Sequence, residues 1–342
     1  MNTFGNKFRI TLSGESHSPS IGVTLEGVPP GIPISLDELI AEIERRKPGE
    51  KGTTTRKESD TPHIIRGIED GVTTGGSIRI VFHNRNIRPE DYRQFAEIPR
   101  PGHADMVRLQ KYPAEKFTSG GGIFSGRMTL PLVAGGFIAK KIIAPVEITS
   151  EFVSIGKIEI PEQFSKSPHQ YPVFEKYLEE IVRANDSIGG IIRCTCRNIP
   201  VGLGEPFFES VESRISHLIF SIPGVRGIEF GDGFASTKML GSEHNDPIIS
   251  IEGETSKNSC GGINGGITNG NPIIFCVAIK PTSSIGKIQK SINLKNGEMT
   301  EFSIKGRHDA CFALRVPPII ESVAAIALAS FILERNSKNP TL

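Results

Sequence analysis

The chain has 342 residues, enough for one large domain or two, and its 39 basic side chains are offset by 38 acidic ones, which leaves a net charge of +1. This balance argues against a general nucleic-acid-binding protein, which needs a basic excess to neutralise phosphates. The first ten residues lack the apolar segment of a signal peptide, and no apolar run approaches the ~18 residues of a membrane span, so we expect a cytoplasmic protein without a membrane partner.

The cysteines argue against disulfides and against a metal site. There are five of them, Cys194, Cys196, Cys260, Cys276 and Cys311, spread along a long chain. Cys194 and Cys196 lie on one face of a predicted strand, but no second pair completes a zinc site. We therefore expect buried thiols in a reducing compartment, and no metal.

The N-terminal part of the chain predicts two strands and a helix. FRITLSG (8–14) alternates apolar and polar residues, as a half-buried strand does, and GVTLEGVPPGIPI (22–34) predicts a second strand followed by a turn. SLDELIAEIERR (35–46) predicts a helix, because Ser35 and Glu38 form a capping box before an apolar stripe. The arginines at its end, Arg45 and Arg46, suit the negative end of a helix dipole.

The remaining elements follow in an irregular order. We predict strands at 77–84, 191–199 and 271–280, and helices at 129–143, 172–184, 207–222 and 317–335. The period-two strands favour mixed layers with antiparallel sheets over a doubly wound parallel sheet. No linker-like stretch divides the chain, so residues 1–342 are expected to form a single domain.

One piece of tertiary geometry follows from a hairpin. Lys295-Asn296-Gly297 lies between two alternating runs, and Asn-Gly in that setting is a strong hairpin signal. A hairpin returns its ends to one place, so KPTSS (280–284) and GRHD (306–309) are expected to be neighbours. Lys280, several hydroxyls, Arg307, His308 and Asp309 would then form one patch.

Four groups of residues combine glycine or hydroxyl side chains with cations or histidines: GESHS (14–18), RPGHAD (100–105), SGGGIFSGR (119–127), and KPTSS with GRHD. Backbone amides freed by glycine, together with Ser, Thr, Lys and Arg, suit a phosphate group. Histidine and aspartate transfer protons near neutral pH. No Rossmann fingerprint, P-loop, nucleophile elbow or HExxH motif occurs. Taken singly, His17 and His103 fit a structural loop role as well as a catalytic one.

In their order and spacing, GESHS, GVPPGIPI, RRKPG, RPGHAD, SGGGIFSGR, GGINGGITNG, KPTSSI and GRHDAC resemble chorismate synthase, from Phe8 to the C-terminal helix. The resemblance implies an α+β fold, a layered β-α-β sandwich with mostly antiparallel sheets around central helices. It implies that 5-enolpyruvylshikimate 3-phosphate is converted to chorismate by 1,4-anti elimination of phosphate, the last step of the shikimate pathway to aromatic amino acids. Reduced FMN is the implied cofactor, which lends an electron transiently without net oxidation.

The resemblance also implies residue roles. His17 would protonate the departing phosphate, His103 would hold the flavin in its proper protonation state, and Asp309 would work with flavin N5 to take the C6 proton. Arg45, Arg46 and Arg127 would bind the substrate. The implied FMN-binding residues are Ser125, Pro223, Gly224, Gly265, Lys280, Pro281, Thr282, Ser283, Ser284 and Arg307.

The chain departs from the family pattern at several positions. Gly52, Ser119 and Ile123 stand where the resemblance predicts arginines, and Met128 stands where it predicts an acid. Each charge-assisted contact to a buried anion contributes roughly 1.5–3 kcal/mol. The expected consequences are weaker binding, compensation by Lys51, Arg56 or Lys57, or an altered substrate.

Partners and alternatives stay open at this level. The resemblance implies a homotetramer. No nicotinamide motif is visible, so an external flavin reductase is favoured over self-reduction with NADPH. Two alternative functions remain: a catalytically weakened homologue that binds flavin or phosphate, and a phosphatase or phosphate lyase that uses the same anion-binding cleft without flavin.

Overall fold

Two five-stranded sheets and two long helices between them form the centre of the protein. The computed structural model describes residues 2–55, 58–85, 94–112, 121–304 and 308–338. In these residues the helices are α1 (Leu36–Glu44), α2 (Asp105–Lys111), α3 (Thr129–Ile142), α4 (Pro172–Arg183), α5 (Val211–Ile219), α6 (Gly241–His244) and α7 (Pro317–Lys338). The strands are β1 (Thr3–Phe4), β2 (Arg9–Gly14), β3 (Ser20–Glu26), β4 (His63–Arg66), β5 (Ile68–Glu69), β6 (Val72–Thr73), β7 (Ile78–His83), β8 (Glu147–Ile155), β9 (Ile158–Glu159), β10 (Gly190–Arg197), β11 (Val225–Phe230), β12 (Ile263–Asn264), β13 (Ile267–Thr268), β14 (Ile273–Ile279), β15 (Gln289–Ile292) and β16 (Met299–Phe302).

The sheets are antiparallel and enclose the helices. The first has the strand order β1-β2-β3-β7-β4 and the second β11-β14-β10-β8-β9, and every neighbouring pair is antiparallel. Helix α3 packs on the first sheet, α7 packs on the second, and the two helices pack on each other. This arrangement confirms the predicted α+β class with antiparallel sheets around central helices.

The contact between α3 and α7 requires a glycine. A Cβ atom at Gly136 would lie 2.2 Å from Cβ and 2.5 Å from Cα of Ser322 in α7, closer than any real contact. The preceding Gly135 turns to the other side, where a Cβ would meet Ile10 of the first sheet at 2.8 Å. Gly135 and Gly136, within the helix predicted at 129–143, therefore let α3 approach both α7 and the first sheet.

Helix α7 corrects the expectation that no segment is apolar enough to span a membrane. Residues 317–336 reach a mean hydropathy of 1.6, which passes that test by length and composition. However, 78% of the segment is buried inside the protein. Helix α7 is apolar on all sides because it lies between α3 and the second sheet.

A buried carboxylate connects three of the helices. Glu321 of α7 accepts hydrogen bonds from Arg45 at 2.7 and 2.8 Å and from Lys140 of α3 at 3.0 Å. Glu42 of α1 binds the same two cations. The hydrogen bond to Glu321 raises the pKa of Arg45 despite partial burial. These contacts hold the C-terminal end of α1 against the central layer.

Most predicted elements are confirmed with shorter bounds. Ser35 caps α1 as expected, since its Oγ accepts from the backbone N–H of Glu38 at 3.3 Å. The hairpin is also confirmed: Ile292 pairs with Met299, so a loop of residues 293–298 replaces the tight Asn-Gly turn. Sequence periodicity missed β8, β11 and α2. Helix α2 begins at Asp105, inside the RPGHAD motif.

The five cysteines are free thiols, and their predicted burial is confirmed for three of them. Cys194 and Cys196 are buried in β10 and Cys311 is buried two residues after Asp309, whereas Cys260 and Cys276 are partly exposed. Burial raises the pKa of Cys311 to about 12, which leaves its thiol protonated and unreactive near neutral pH.

We predict that Gly136→Ala lowers the free energy of unfolding by about 3 kcal/mol or more, because the new methyl group would overlap Ser322 in a close-packed layer. Urea unfolding followed by circular dichroism measures the change. Gly241→Ala is the matched control, since nothing lies within 4 Å of a Cβ at that position. Equal stability of the two variants would contradict the close approach of α3 and α7.

Candidate active site

Three of the four motif groups line one cavity of about 1040 Å³, whose described lining contains no residue of GESHS. Its described lining comes from residues 44–60, 102–107, 123–127, 220–226, 280–283 and 308–315. This volume lies at the upper end of the ~300–1,000 Å³ that is usual for small-molecule and cofactor sites.

Eleven of the predicted site residues line this cavity: Arg46, His103, Ser125, Arg127, Pro223, Gly224, Lys280, Pro281, Thr282, Ser283 and Asp309. His17, Arg45, Gly265 and Ser284 are not among the lining residues. Arg307 lies outside the described residues. Most of the predicted site residues therefore line the cavity, although they make up only part of its described lining.

The predicted proximity of KPTSS and GRHD is confirmed for their described residues. Ser187, just before β10, donates its hydroxyl to the carbonyl oxygen of Thr282 at 2.7 Å. The next residue, Ile188, donates its N–H to the carbonyl oxygen of Ala310 at 2.8 Å. The chain before β10 thus holds both loops beside the cavity.

A pair of arginines forms the most buried part of the wall. Arg46, 2% exposed, donates from Nη2 to Oδ2 of Asp60 at 2.9 Å, and Arg127 donates from Nη1 to the other oxygen, Oδ1. Arg127 Nε also donates to Asn84 Oδ1 at 3.0 Å. Asp60 therefore fixes the spacing of two guanidinium groups, one on each carboxylate oxygen.

This pair is short of acceptors. Nε of Arg46 and Nη2 of Arg127 are buried without a hydrogen-bond partner. Burial first, and then the guanidinium groups of Arg315 and Arg127, lower the pKa of Arg46 to about 9, although Asp60 acts in the opposite direction. Buried N–H groups without an acceptor and a lowered pKa in one place are the properties expected of an anion-binding site.

Asp309 is held by a third arginine that the sequence did not single out. Arg315 Nη1 lies 3.0 Å from Asp309 Oδ2, and Thr54 donates its N–H to Oδ1 at 2.8 Å. Arg315 also donates from Nε to the carbonyl oxygen of Arg46 at 3.2 Å. The carboxylate at the cavity surface is thus oriented by fixed donors. Neither Arg315 nor Asp60 belongs to a recognisable motif, so only the fold reveals them.

His103 and His17 occupy different positions relative to the cavity. His103 lines it with 20% of its side chain exposed. His17 lies behind the wall, in a loop whose backbone carbonyls at Glu15 and Ser18 accept from Nδ2 of Asn84. Because Asn84 also accepts a hydrogen bond from Arg127, a single side chain connects the His17 loop to the arginine pair.

Arg45 points away from the cavity. Its guanidinium binds Glu321 and Glu42 in the central layer, whereas the adjacent Arg46 enters the cavity wall. Ser284 is buried and accepts from Arg100 at 3.0 Å. Gly265 lies exposed, with open space where a Cβ would be.

The cavity lining also has an apolar part with a cation beside it. Phe124, Phe220, Ile222, Val225 and Phe312 supply apolar surface. Lys280 lies beside them, and burial together with Arg226 lowers its pKa. The hydroxyl of Thr282 is buried without a partner. An apolar wall next to a cation and an unpaired hydroxyl fits a cofactor that is apolar at one end and anionic at the other.

The departures from the family pattern have structural consequences. Ile123 lines the cavity with 46% of its surface exposed, where a cation is expected. Lys51 does not compensate, because its ammonium group binds Glu179 at 2.5 Å and Glu175 at 3.2 Å on α4. Ser119, Arg56 and Lys57 lie outside the described residues, and so does the compensation predicted for the last two.

Comparison with known proteins gives one consistent result. The sequence model of the chorismate synthase family matches residues 8–333. Chorismate synthase of Chitinophaga pinensis is 50% identical over 340 residues, covering 99% of this chain and 98% of the relative. That of Synechocystis sp. is 42% identical and covers 100% of this chain and 99% of the relative. A crystal structure of chorismate synthase aligns with a TM-score of 0.74 and 26% identity, over 97% of this chain and 93% of that one.

We predict that inorganic phosphate raises the Tm of the protein and that Arg46→Gln abolishes most of this increment, because the variant removes an unpaired donor from the cavity wall. Arg45→Gln is the matched control: it lowers the Tm by removing two hydrogen bonds to Glu321, which keeps only its bond from Lys140, but it keeps the phosphate increment. Differential scanning calorimetry at constant ionic strength separates the two effects.

The increment is also expected to decline as the pH rises through about 9, where Arg46 loses its proton in the folded protein. The sign follows from the lowered pKa: the charged form is disfavoured by folding and favoured by a bound anion. A phosphate increment that survives in Arg46→Gln would contradict this site.

Proposed function

This chain belongs to the chorismate synthase family, a family of carbon–oxygen lyases that use a flavin, and we propose that it converts 5-enolpyruvylshikimate 3-phosphate to chorismate with reduced FMN. The reaction is a 1,4-anti elimination of phosphate that completes the shikimate pathway. The observation that carries the proposal is the union, in one cavity, of unpaired arginine N–H groups with His103 and Asp309.

The arginines would bind the anionic groups of the substrate. Arg46 and Arg127, which share Asp60, each keep an unpaired N–H group, and Arg315 lies beside Asp309. A substrate with one phosphate and two carboxylates would supply the missing acceptors. Because these cations are fixed before binding, they would stabilise charge that develops on the departing phosphate without reorganising.

Proton transfer would involve three groups. Asp309, fixed by Arg315 and the N–H of Thr54, would accept the proton from C6 of the substrate together with the flavin. His103 would face the flavin and hold its protonation state. His17 would donate a proton to the phosphate, and its loop reaches the substrate side through Asn84 and Arg127.

Reduced FMN, when bound, would supply an electron transiently to the allylic system as phosphate leaves. Lys280, Pro281, Thr282 and Ser283 would hold it, together with Ser125 and the Pro223-Gly224 turn. The unpaired hydroxyl of Thr282 and the neighbouring cations Lys280 and Arg226 support this placement. The apolar wall would exclude water from the ring.

We further propose that the chain forms a homotetramer in the cytoplasm and receives reduced flavin from an external reductase. Large apolar side chains between residues 207 and 251 support self-association, since Phe208 is 92% and Ile251 100% exposed. Gly266 accepts from the N–H of Val211, so Gly265 lies next to the exposed Phe208 segment. A neighbouring copy that covers this segment would bring Gly265 to a cofactor outside its own chain.

An anaerobic assay with 5-enolpyruvylshikimate 3-phosphate and photoreduced FMN tests the reaction. We expect chorismate, detected by its absorbance, and an equal amount of phosphate, with neither product formed when FMN is omitted. Phosphate release without FMN would instead support a flavin-independent lyase or phosphatase. FMN binding without turnover would support the weakened homologue.

In the same assay, His103→Ala and Asp309→Ala should each lower kcat by about 10²-fold or more, the range for a lost proton-transfer group. His63→Ala is the control, because His63 is exposed in β4, outside the cavity lining. Unchanged circular dichroism spectra would show that the variants are folded. Near-normal rates in either variant would overturn its assigned role.

We also predict that Ile123→Arg tightens the binding of FMN or of substrate about tenfold, because it places a cation at the exposed part of the cavity wall. Fluorescence titration measures both Kd values. Ile65→Arg is the matched control, since Ile65 is also exposed, on β4, but lies outside the cavity lining. If both variants changed the Kd values equally, the effect would come from the added positive charge in general and not from its position in the cavity wall.

A further inference from the structure

A buried ion pair lies directly behind His103. Arg100 and Asp105 are both almost fully buried and bind in a two-pronged manner: Nε to Oδ2 at 2.7 Å and Nη2 to Oδ1 at 2.8 Å. The N–H of Arg100 also donates to Oδ2 at 3.1 Å. The carboxylate of Asp105 therefore has a fixed orientation before any ligand binds.

Asp105 remains ionised in this setting. Burial alone would raise its pKa, but the hydrogen bonds from Arg100 and His103 outweigh burial and lower the pKa of Asp105. An ionised carboxylate has only acceptors. Any group that Asp105 binds closely must therefore present a proton to it.

His103 is bound in this way through one ring nitrogen. Its Nδ1 lies 2.7 Å from Oδ1 of Asp105 and 3.1 Å from Nη2 of Arg100. An unprotonated Nδ1 could accept from Arg100, but its lone pair would then face the carboxylate oxygen at the shorter distance. A protonated Nδ1 removes this repulsion, and Arg100 and His103 then both donate to Oδ1. Because the contact with the charged carboxylate of Asp105 is the closer of the two, we infer that Nδ1 carries the proton.

We propose that Asp105 is a positioning residue that holds His103 in the tautomer protonated at Nδ1, so that Nε2 is the nitrogen that accepts a proton or a hydrogen bond in the cavity. This is the use that a buried carboxylate commonly has behind a functional imidazole. The tautomer does not depend on the proposed function. Its consequence for turnover rests on that function.

The same ion pair connects His103 to the loop proposed to bind the cofactor. Arg100 donates from Nη1 to the hydroxyl of Ser284 at 3.0 Å. Lys280 and Ser283 both donate to the carbonyl oxygen of Gly102, at 2.6 and 2.8 Å. The ring of His103 and the Lys280–Ser284 loop are therefore held in one rigid arrangement.

Nitrogen-15 NMR of the ligand-free protein tests the tautomer directly. With labelled histidine, at a pH where the imidazole is neutral, the His103 signals should show the proton on Nδ1. The signals are assigned by their loss in His103→Gln. A proton on Nε2 in the wild-type protein would overturn the proposal without any assay of activity.

Asp105→Asn extends the test, because its amide can turn an N–H toward Nδ1 and shift the proton to Nε2. Asp37→Asn is the matched control, since Asp37 also lies in the first turn of a helix but is exposed. A folded Asp105→Asn protein whose His103 tautomer is unchanged would contradict the role of Asp105. If that variant does not fold, the wild-type measurement decides alone.

Kinetics then distinguishes positioning from a general structural effect. In the chorismate assay Asp105→Asn should lower kcat about as much as His103→Gln, with a substrate KM within about threefold, and the double variant should lose no more than His103→Gln alone. Multiplied losses in the double variant would contradict action through His103. Absence of chorismate formation by the wild-type protein would refute the proposed function and leave the tautomer result standing.

Discussion

Arg46 is buried beside two other guanidinium groups, and both effects raise the free energy of its protonated form. A pKa of about 9 in place of the ordinary 12.5 corresponds to on the order of 5 kcal/mol less favourable protonation. The fold offsets part of this cost with Asp60, a non-glycine residue held at φ 50°, whose two oxygens bind Arg46 and Arg127. The remaining buried N–H groups of the two arginines have no acceptor in the protein, so binding an anion that accepts from them would be favourable.

Such a wall requires rigid supports, and the central layer supplies them. Arg46 follows the end of α1, which the Glu321 contacts fix to α3 and α7. Arg127 lies in the 3₁₀ turn that leads into α3, and Arg315 lies in the turn that leads into α7. The groups that would bind the substrate therefore come from the ends of core helices, whereas His103 and Lys280 come from loops joined to each other by hydrogen bonds. Preorganisation of this kind is what electrostatic catalysis demands.

Local pattern was sufficient for much of this molecule. The apolar stripe and cap predicted α1, continuous apolar runs predicted α3, α7 and β14, and the hairpin brought KPTSS beside GRHD. Local sequence pattern failed where the role of a residue depends on the direction in which its side chain points. Arg45 and Arg46 are adjacent, and side chains of successive residues near a helix end diverge by about 100°, so one meets Glu321 and the other the cavity. Asp60 and Arg315 acquire their roles from partners distant in sequence, which no local pattern encodes.

The apolar residue at Ile123 changes the distribution of charge without removing the cationic character of the cavity. Its described lining contains six lysines and arginines against four carboxylates, so this one cavity has a larger positive excess than the net charge of +1 of the whole chain. Two of those carboxylates, Asp60 and Asp309, are themselves bound by arginines of the wall. Lys51 meanwhile binds α4, where it anchors the loop that presents Thr54 to Asp309. Lys51 therefore helps to shape the site, and the positive potential of the cavity comes mainly from Arg46, Arg127 and Arg315. Because Asp60 sets the positions of two of these arginines, the geometry it imposes matters more here than the number of cations.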